Sequence, residues 1–223
     1  MTVEPTKAVI VTHDTGSRAG PLSSGPGHDG SDAGFAPSGP PRWQSGTVDP
    51  MSEEATWTHR AAQRRSSDIE GDGIFASEDL PSGTVVARLR GRVVDDASLR
   101  QLLADAAADG GYIDTLMIDD DQNLVLAPDQ LIHFCNHSCD PSLWHLDATT
   151  ICTRRPVAAG DELTIDYATQ TTHADFEMTC NCGSGLCRGI VTGVDWLDTE
   201  WQARYEDHVV PAVRRAIQRW GTA

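Results

Sequence analysis

From about residue 57 the chain alternates short apolar runs with polar turns. Gly71-Asp72-Gly73-Ile74-Phe75-Ala76 predicts a turn that leads into a strand. After the Pro81-Ser82-Gly83 turn, the β-branched run 84–89 predicts a second strand. Further short strands are predicted over 112–118, 124–126, 149–153 and 163–167, with Asp119-Asp120-Asp121-Gln122-Asn123 as a polar hairpin turn. A helical period of 3.6 appears in three places. Leu99, Leu102, Leu103, Ala106 and Ala107 share one helical face, with Asp96 as the expected N-cap and Gly110 as the stop. Asp198 is placed to cap a helix carrying Trp201 and Tyr205. Pro211 opens another helix, with Val213, Ile217 and Trp220 along one face. The expected fold is therefore mainly β with few helices. There is no βαβ alternation and no G-x-G-x-x-G element, which excludes a doubly wound dinucleotide-type fold.

Upstream of this patterned region the sequence changes character. Gly, Pro, Ser, Asp and His dominate from Gly16 to Pro50, and neither period persists. Such a segment cannot bury enough apolar surface to offset its ordering entropy, so residues 1–56 are expected to be a disordered tail. No run approaches the roughly 18 apolar residues a membrane-spanning helix needs, and no signal peptide is expected at the N-terminus. Those two expectations place the protein in the cytoplasm. There six cysteines point to metal or catalysis before disulfides. The net charge of −16 disfavours non-specific nucleic-acid binding and suits a basic protein or peptide partner. Lys7 is the one lysine beside many arginines and alanines, a composition that points to a GC-rich, bacterial source.

The densest chemical signal is Cys180-Asn181-Cys182-Gly183-Ser184-Gly185-Leu186-Cys187. This C-x-C-x4-C motif has a glycine-rich connection that can wrap round one ion. Structural zinc sites take four ligands in a tetrahedron. The motif supplies three, and Cys135, Cys139, Cys152 and His173 are candidates for the fourth. Two further segments look plain in isolation: Phe134-Cys135-Asn136-His137-Ser138-Cys139-Asp140-Pro141-Ser142 and Gly160-Asp161-Glu162-Leu163-Thr164-Ile165-Asp166-Tyr167.

Taken in order, the Gly71 segment, N-H-S-C-D-P, G-D-E-L-T-x-D-Y and C-x-C-x4-C-R-G resemble the SET-domain protein lysine methyltransferases with a post-SET zinc motif. The resemblance covers roughly residues 59–192. It implies a β-clip-like fold of small curved sheets with a pseudoknot beside the active site. The implied organisation is a SET domain over 57–170 and a post-SET zinc segment over 171–192, and the two helices read from capping and periodicity form a C-terminal extension over 193–223. It also implies S-adenosylmethionine as methyl donor. Asp72, Gly73 and Ile74 correspond to the loop that holds the methionine part of that molecule, and Asn136 and His137 to the pair that contacts it. Tyr167, also beside the cofactor, corresponds to the catalytic tyrosine, and Tyr112 stands where a second channel tyrosine is common. Cys139 becomes the fourth ligand of a structural zinc ion with Cys180, Cys182 and Cys187, which leaves Cys135 and Cys152 to the core. The implied reaction is methyl transfer to the ε-amine of lysine in a basic protein or peptide.

The chain departs from the family pattern at four places. Leu89-Arg90-Gly91 stands for Y-x-G, His133 for an arginine, and Ser142 for the last asparagine of N-H-S-C-x-P-N. Ile165 replaces an aromatic residue two places before Tyr167. A smaller Ile165 implies a roomier channel that permits di- or trimethylation. Two other classes fit the same motifs: a methyltransferase of a small molecule or non-lysine group, and a non-catalytic SET-like binding module. A zinc finger for nucleic acid is disfavoured by the charge and by the lack of a basic helix beside the cysteines. Arg204, Arg214, Arg215 and Arg219 read as a solvated helix face.

Overall fold

The computed structural model describes residues 55–108, 110–111 and 113–222. The expected tail thus falls, but for residues 55 and 56, outside the described residues, as does Tyr112. Thr56 is already buried, and its N–H donates to Gln130 Oε1 (2.9 Å).

Elements follow in chain order: β1 (Trp57–Thr58), β2 (Ala62–Ser66), β3 (Asp72–Ala76), β4 (Val85–Arg88), β5 (Gly91–Val94), α1 (Asp96–Ala108), β6 (Thr115–Asp119), β7 (Gln122–Leu126), β8 (Leu143–His145), β9 (Thr150–Thr153), β10 (Glu162–Leu163), β11 (Glu177–Thr179), β12 (Ile190–Thr192), α2 (Thr199–Tyr205) and α3 (Pro211–Trp220). The strands form four small antiparallel sheets, ordered β1-β4-β9-β8, β10-β3-β2, β5-β7-β6 and β11-β12. The core gathers their inward residues, among them Ile74, Val86, Leu143, Ile151, Leu163 and Phe176. β9 lies between two neighbours and is buried along its whole length, so its apolar and hydroxyl side chains face protein on both sides. Gly91 keeps β5 close to β7: a Cβ there would run into the Val125 carbonyl. No helix among the described residues is long and apolar enough to cross a membrane.

Several elements differ from expectation for local reasons. The cap of α1 is Asp95, not Asp96. Asp95 Oδ1 accepts from Ser98 N (2.7 Å), while Asp96 turns to accept from the buried Asn123 amide (2.7 Å). Gly110 ends the helix as expected, with φ of 64°. The strand expected over 163–167 stops at Leu163, because Asp166 Oδ1 accepts from Ala168 N (3.1 Å) and caps a 3-10 turn over Tyr167–Gln170. β6 begins at Thr115, three residues later than expected. Asp198 caps α2, and Trp201 and Tyr205 are buried. On α3 the buried stripe is Ala212, Val213 and Ala216, whereas Trp220 is 60% exposed at the helix end. Arg215 and Arg219 are not merely solvated. Arg215 pairs with Asp119 and Asp120, and Arg219 with Asp120 (3.0 Å), which ties α3 to the β6–β7 turn.

One pairing runs parallel, and it builds the site. Ile165 N donates to Asn136 O (3.0 Å) and Ser138 N to Ile165 O (3.1 Å). Ser142 Oγ then accepts from Thr164 N and donates to Glu162 O. The segment 136–142 is thereby stitched beside 162–166, and the two motifs far apart in sequence become neighbours.

Candidate active site and cysteine cluster

Tyr167 stands at the boundary of two clefts. It lines one together with Ile69, Glu70, Asn136, His137, Met178, Thr179 and Asn181. It lines a second with mostly aliphatic walls, including Leu89, Leu116, Leu126, Ile132, Ile151 and Ile165. Its hydroxyl donates to the Cys135 carbonyl (2.8 Å), which fixes the ring between them.

Asn136 is buried, and its amide donates to Glu162 Oε1 (2.6 Å), Ser67 Oγ (3.0 Å) and the carbonyls of Glu70 and Asp72 (3.3 Å each). It thus pins the start of β3 to β10. Asp72, Gly73 and Ile74 open β3 beside Asn136 and are not among the residues that line the first cleft. Ile74 is in the core, the Asp72 carboxylate pairs with Arg64, and a Cβ on Gly73 would collide with the Glu162 carboxylate. Ile69 and Glu70 supply the wall instead. His137 accepts from Tyr167 N at Nδ1 (3.2 Å), so its ring proton lies on Nε2, aimed at Cys139 Sγ (3.3 Å). Burial pulls its pKa down to about 4, so the ring is neutral near pH 7.

Behind Tyr167 sits Asp166, fully buried. Arg188 grips it with two bonds (2.6 and 2.7 Å), and Tyr205 Oη (2.7 Å) and Trp201 Nε1 (3.2 Å) add two more. Burial opposes charge on Asp166, but the guanidinium and these donors outweigh it and hold the carboxyl below its ordinary range. In the sequence Asp166 is only a motif letter, and Trp201 and Tyr205 are only one face of a helix. Their i, i+4 spacing was visible, but nothing local names Asp166 as their common target.

The sulfurs of Cys139, Cys180, Cys182 and Cys187 lie within 4.8 Å of one another. A tetrahedron with zinc–sulfur bonds of about 2.3 Å has sulfurs about 3.8 Å apart. Cys139 and Cys180 stand at 3.7 Å. Backbone N–H groups of Arg188, Cys139 and Cys182 point at the sulfurs of Cys139, Cys182 and Cys180 (3.3–3.5 Å), as thiolate ligands require. Burial pushes the Cys139 thiol up to about 11. For Cys182, burial is outweighed by hydrogen bonds from Ser184 and the Cys139 backbone, which bring it down to about 6. The donor set fits zinc, and of the four candidates for the fourth ligand the geometry selects Cys139. Cys135 and Cys152 are buried in the core, with Cys135 Sγ near the Leu163 carbonyl.

Residues 71–168 match the family model described as SET domain. This stretch of the chain is a SET domain. It is 29% identical over 151 residues to "Histone-lysine N-methyltransferase 2B" of Homo sapiens, a match covering 61% of this chain and 5% of that protein. It is 27% identical over 154 residues to the "Histone-lysine N-methyltransferase, H3 lysine-36 specific" of Schizosaccharomyces pombe, covering 65% and 19%. Over 76 residues it is 37% identical to "Methyltransferase flvH" of Aspergillus flavus, covering 32% and 42%. The chain spans less than half the length of each of these relatives. Within the SET domain the four departures take physical form: Leu89, His133 and Ile165 all line the second cleft, and Ser142 bonds the β10 segment.

Proposed function

We propose that the protein transfers methyl groups from S-adenosylmethionine to an amine, with the ε-amine of lysine in a basic protein as the leading acceptor. The observation that carries this reading is Tyr167 shared by two clefts. One cleft has Asn136 and His137 on its wall and takes the cofactor. The other takes the acceptor, and the sulfonium methyl and the amine meet across the tyrosine. The cofactor supplies an electrophilic methyl group. The chain holds the two reactants in line, excludes water with aliphatic walls, and uses the fixed Tyr167 hydroxyl to position the amine. Aliphatic surroundings favour the neutral amine, the form that can attack. The net charge of −16 favours encounter with a basic protein, and the similarity to two histone-lysine N-methyltransferases supports the same acceptor.

A roomier cleft beside Ile165, which is itself buried, favours more than one methyl group per amine. A small-molecule acceptor is the second reading, favoured by the second cleft itself, in which Tyr167 is the one aromatic phenol or phenyl ring on the described wall. The four cysteines hold zinc as a structural ion that fixes the segment behind His137. Incubation with methyl-labelled cofactor and core histones, read by mass spectrometry, tests the leading reading. Di- and trimethyl-lysine are expected. Label confined to low-mass amines would move the acceptor to the second class, and monomethyl-lysine alone would refute the roomier channel.

A further inference from the structure

The acceptor cleft is not uniformly apolar. Asp114, Thr115 and His133 share its wall with the aliphatic side chains and Tyr167. His133 Nε2 stands 3.8 Å from Asp114 Oδ2, too far for a hydrogen bond. His133 Nε2 and Thr115 Oγ1 are buried, and neither has a hydrogen-bond partner among the described residues. Buried polar atoms are ordinarily satisfied, so two unsatisfied ones beside a carboxylate in one cleft mark a place where a ligand supplies the partners. Burial also pushes the His133 pKa below its ordinary value, against the raising effect of Asp129. A neutral ring beside Asp114 results near pH 7.

A carboxylate touching the nitrogen under attack would keep it protonated, with its lone pair occupied. The cation that suits Asp114 is therefore a second one, separated from the reacting nitrogen by a few methylenes, apolar groups that match the leucine and isoleucine side chains of the wall. We propose that Asp114, with Thr115 and His133, selects an acceptor carrying a second positive charge close to the amine that is methylated. The simplest molecule of this class is a short linear diamine. Its two nitrogens divide the work: one stays an ammonium on Asp114, and its charge lowers the basicity of the other, which attacks the methyl group. This inference rests on the methyl-transfer reading and does not depend on a protein acceptor.

The test compares linear diamines of three to six methylenes with monoamines of equal length. Each is titrated by NMR into the zinc-containing protein in the presence of S-adenosylhomocysteine. Wild type is expected to bind at least one diamine about tenfold more tightly than its monoamine, the worth of one charge-assisted hydrogen bond. In Asp114→Asn, with its thermal unfolding checked against wild type, that preference is expected to vanish. Equal affinities in wild type, or an unchanged preference in a folded Asp114→Asn variant, overturn the proposal. Titration of wild type with S-adenosylmethionine is run alongside. If the cofactor binds and no diamine preference exists, only this inference fails. If the cofactor does not bind, the methyl-transfer reading fails with it.

Discussion

At the scale of residues, Asp166 and Tyr167 divide structure from chemistry across one peptide bond. Asp166 faces inward to Arg188, Trp201 and Tyr205, and Tyr167 faces the clefts. Removing the buried carboxylate would break both Arg188–Asp166 bonds and leave the part-buried guanidinium with Asp195 alone. Asp166→Asn is therefore expected to destabilise the fold by about 3–5 kcal/mol, read by urea unfolding. Tyr167→Phe removes one hydroxyl bonded to a carbonyl and should cost only about 1 kcal/mol. Its methyl-transfer rate should nevertheless fall about a hundredfold or more, because the amine loses its positioning oxygen. A variant that loses stability and rate in parallel would put Tyr167 among the structural residues. A third expectation concerns pH. His145 is fully buried, between the Gln170 amide and the Asp147 carbonyl, and burial brings its pKa down from 6.5 to about 4. Its folded value is depressed, so its contribution is complete above pH 6.5 and is lost as pH falls from 6.5 through about 4. The melting temperature should drop across that window, and His145→Gln should lessen the drop while the share from His137 remains. The motif letters Asn136, His137, Cys139 and Tyr167 could be read directly, because each lies in a short contiguous pattern. The hub on Asp166 could not, because its partners lie 22, 35 and 39 positions away with no shared period.

At the scale of elements, α2 backs Asp166. Trp201 and Tyr205 are each within 2% of complete burial and both donate to Asp166. Tyr205→Phe leaves one less donor on a buried carboxylate, and a loss of about 1–3 kcal/mol is expected in thermal or denaturant unfolding. No measurable loss would mean that Arg188, Trp201 and the Ala168 N–H satisfy Asp166 without Tyr205. The helices and most strands follow from periodicity, capping residues and turn residues. The errors arise where a side chain outbids local propensity. Asp95 takes the cap because Asn123 claims Asp96, and Asp166 cuts a strand short by capping its own turn. Trp220 was expected on the buried stripe, but it falls at the final residue of α3, beyond the last packed turn.

At the scale of the whole molecule, four small sheets share one core, and two long-range ties draw the C-terminal part of the described chain to it. One is the Asp166 hub. The other is the cysteine cluster, which joins the 139 region to the 180–187 loop. Metal that binds the folded state alone adds its binding free energy to stability. One zinc per chain is therefore expected by elemental analysis, with chelation lowering the melting temperature. Cys139→Ser should abolish both the metal and that sensitivity. Sheet topology and the parallel pairing of His137 with Ile165 lie beyond what local patterns encode, because they depend on which distant segments meet.

The most direct test of the account is calorimetric titration of the zinc-loaded protein with S-adenosylmethionine. One saturable site per chain is predicted, retained in Tyr167→Phe. A folded, zinc-containing sample that shows no binding heat at any temperature tried, and no binding by equilibrium dialysis, would contradict it.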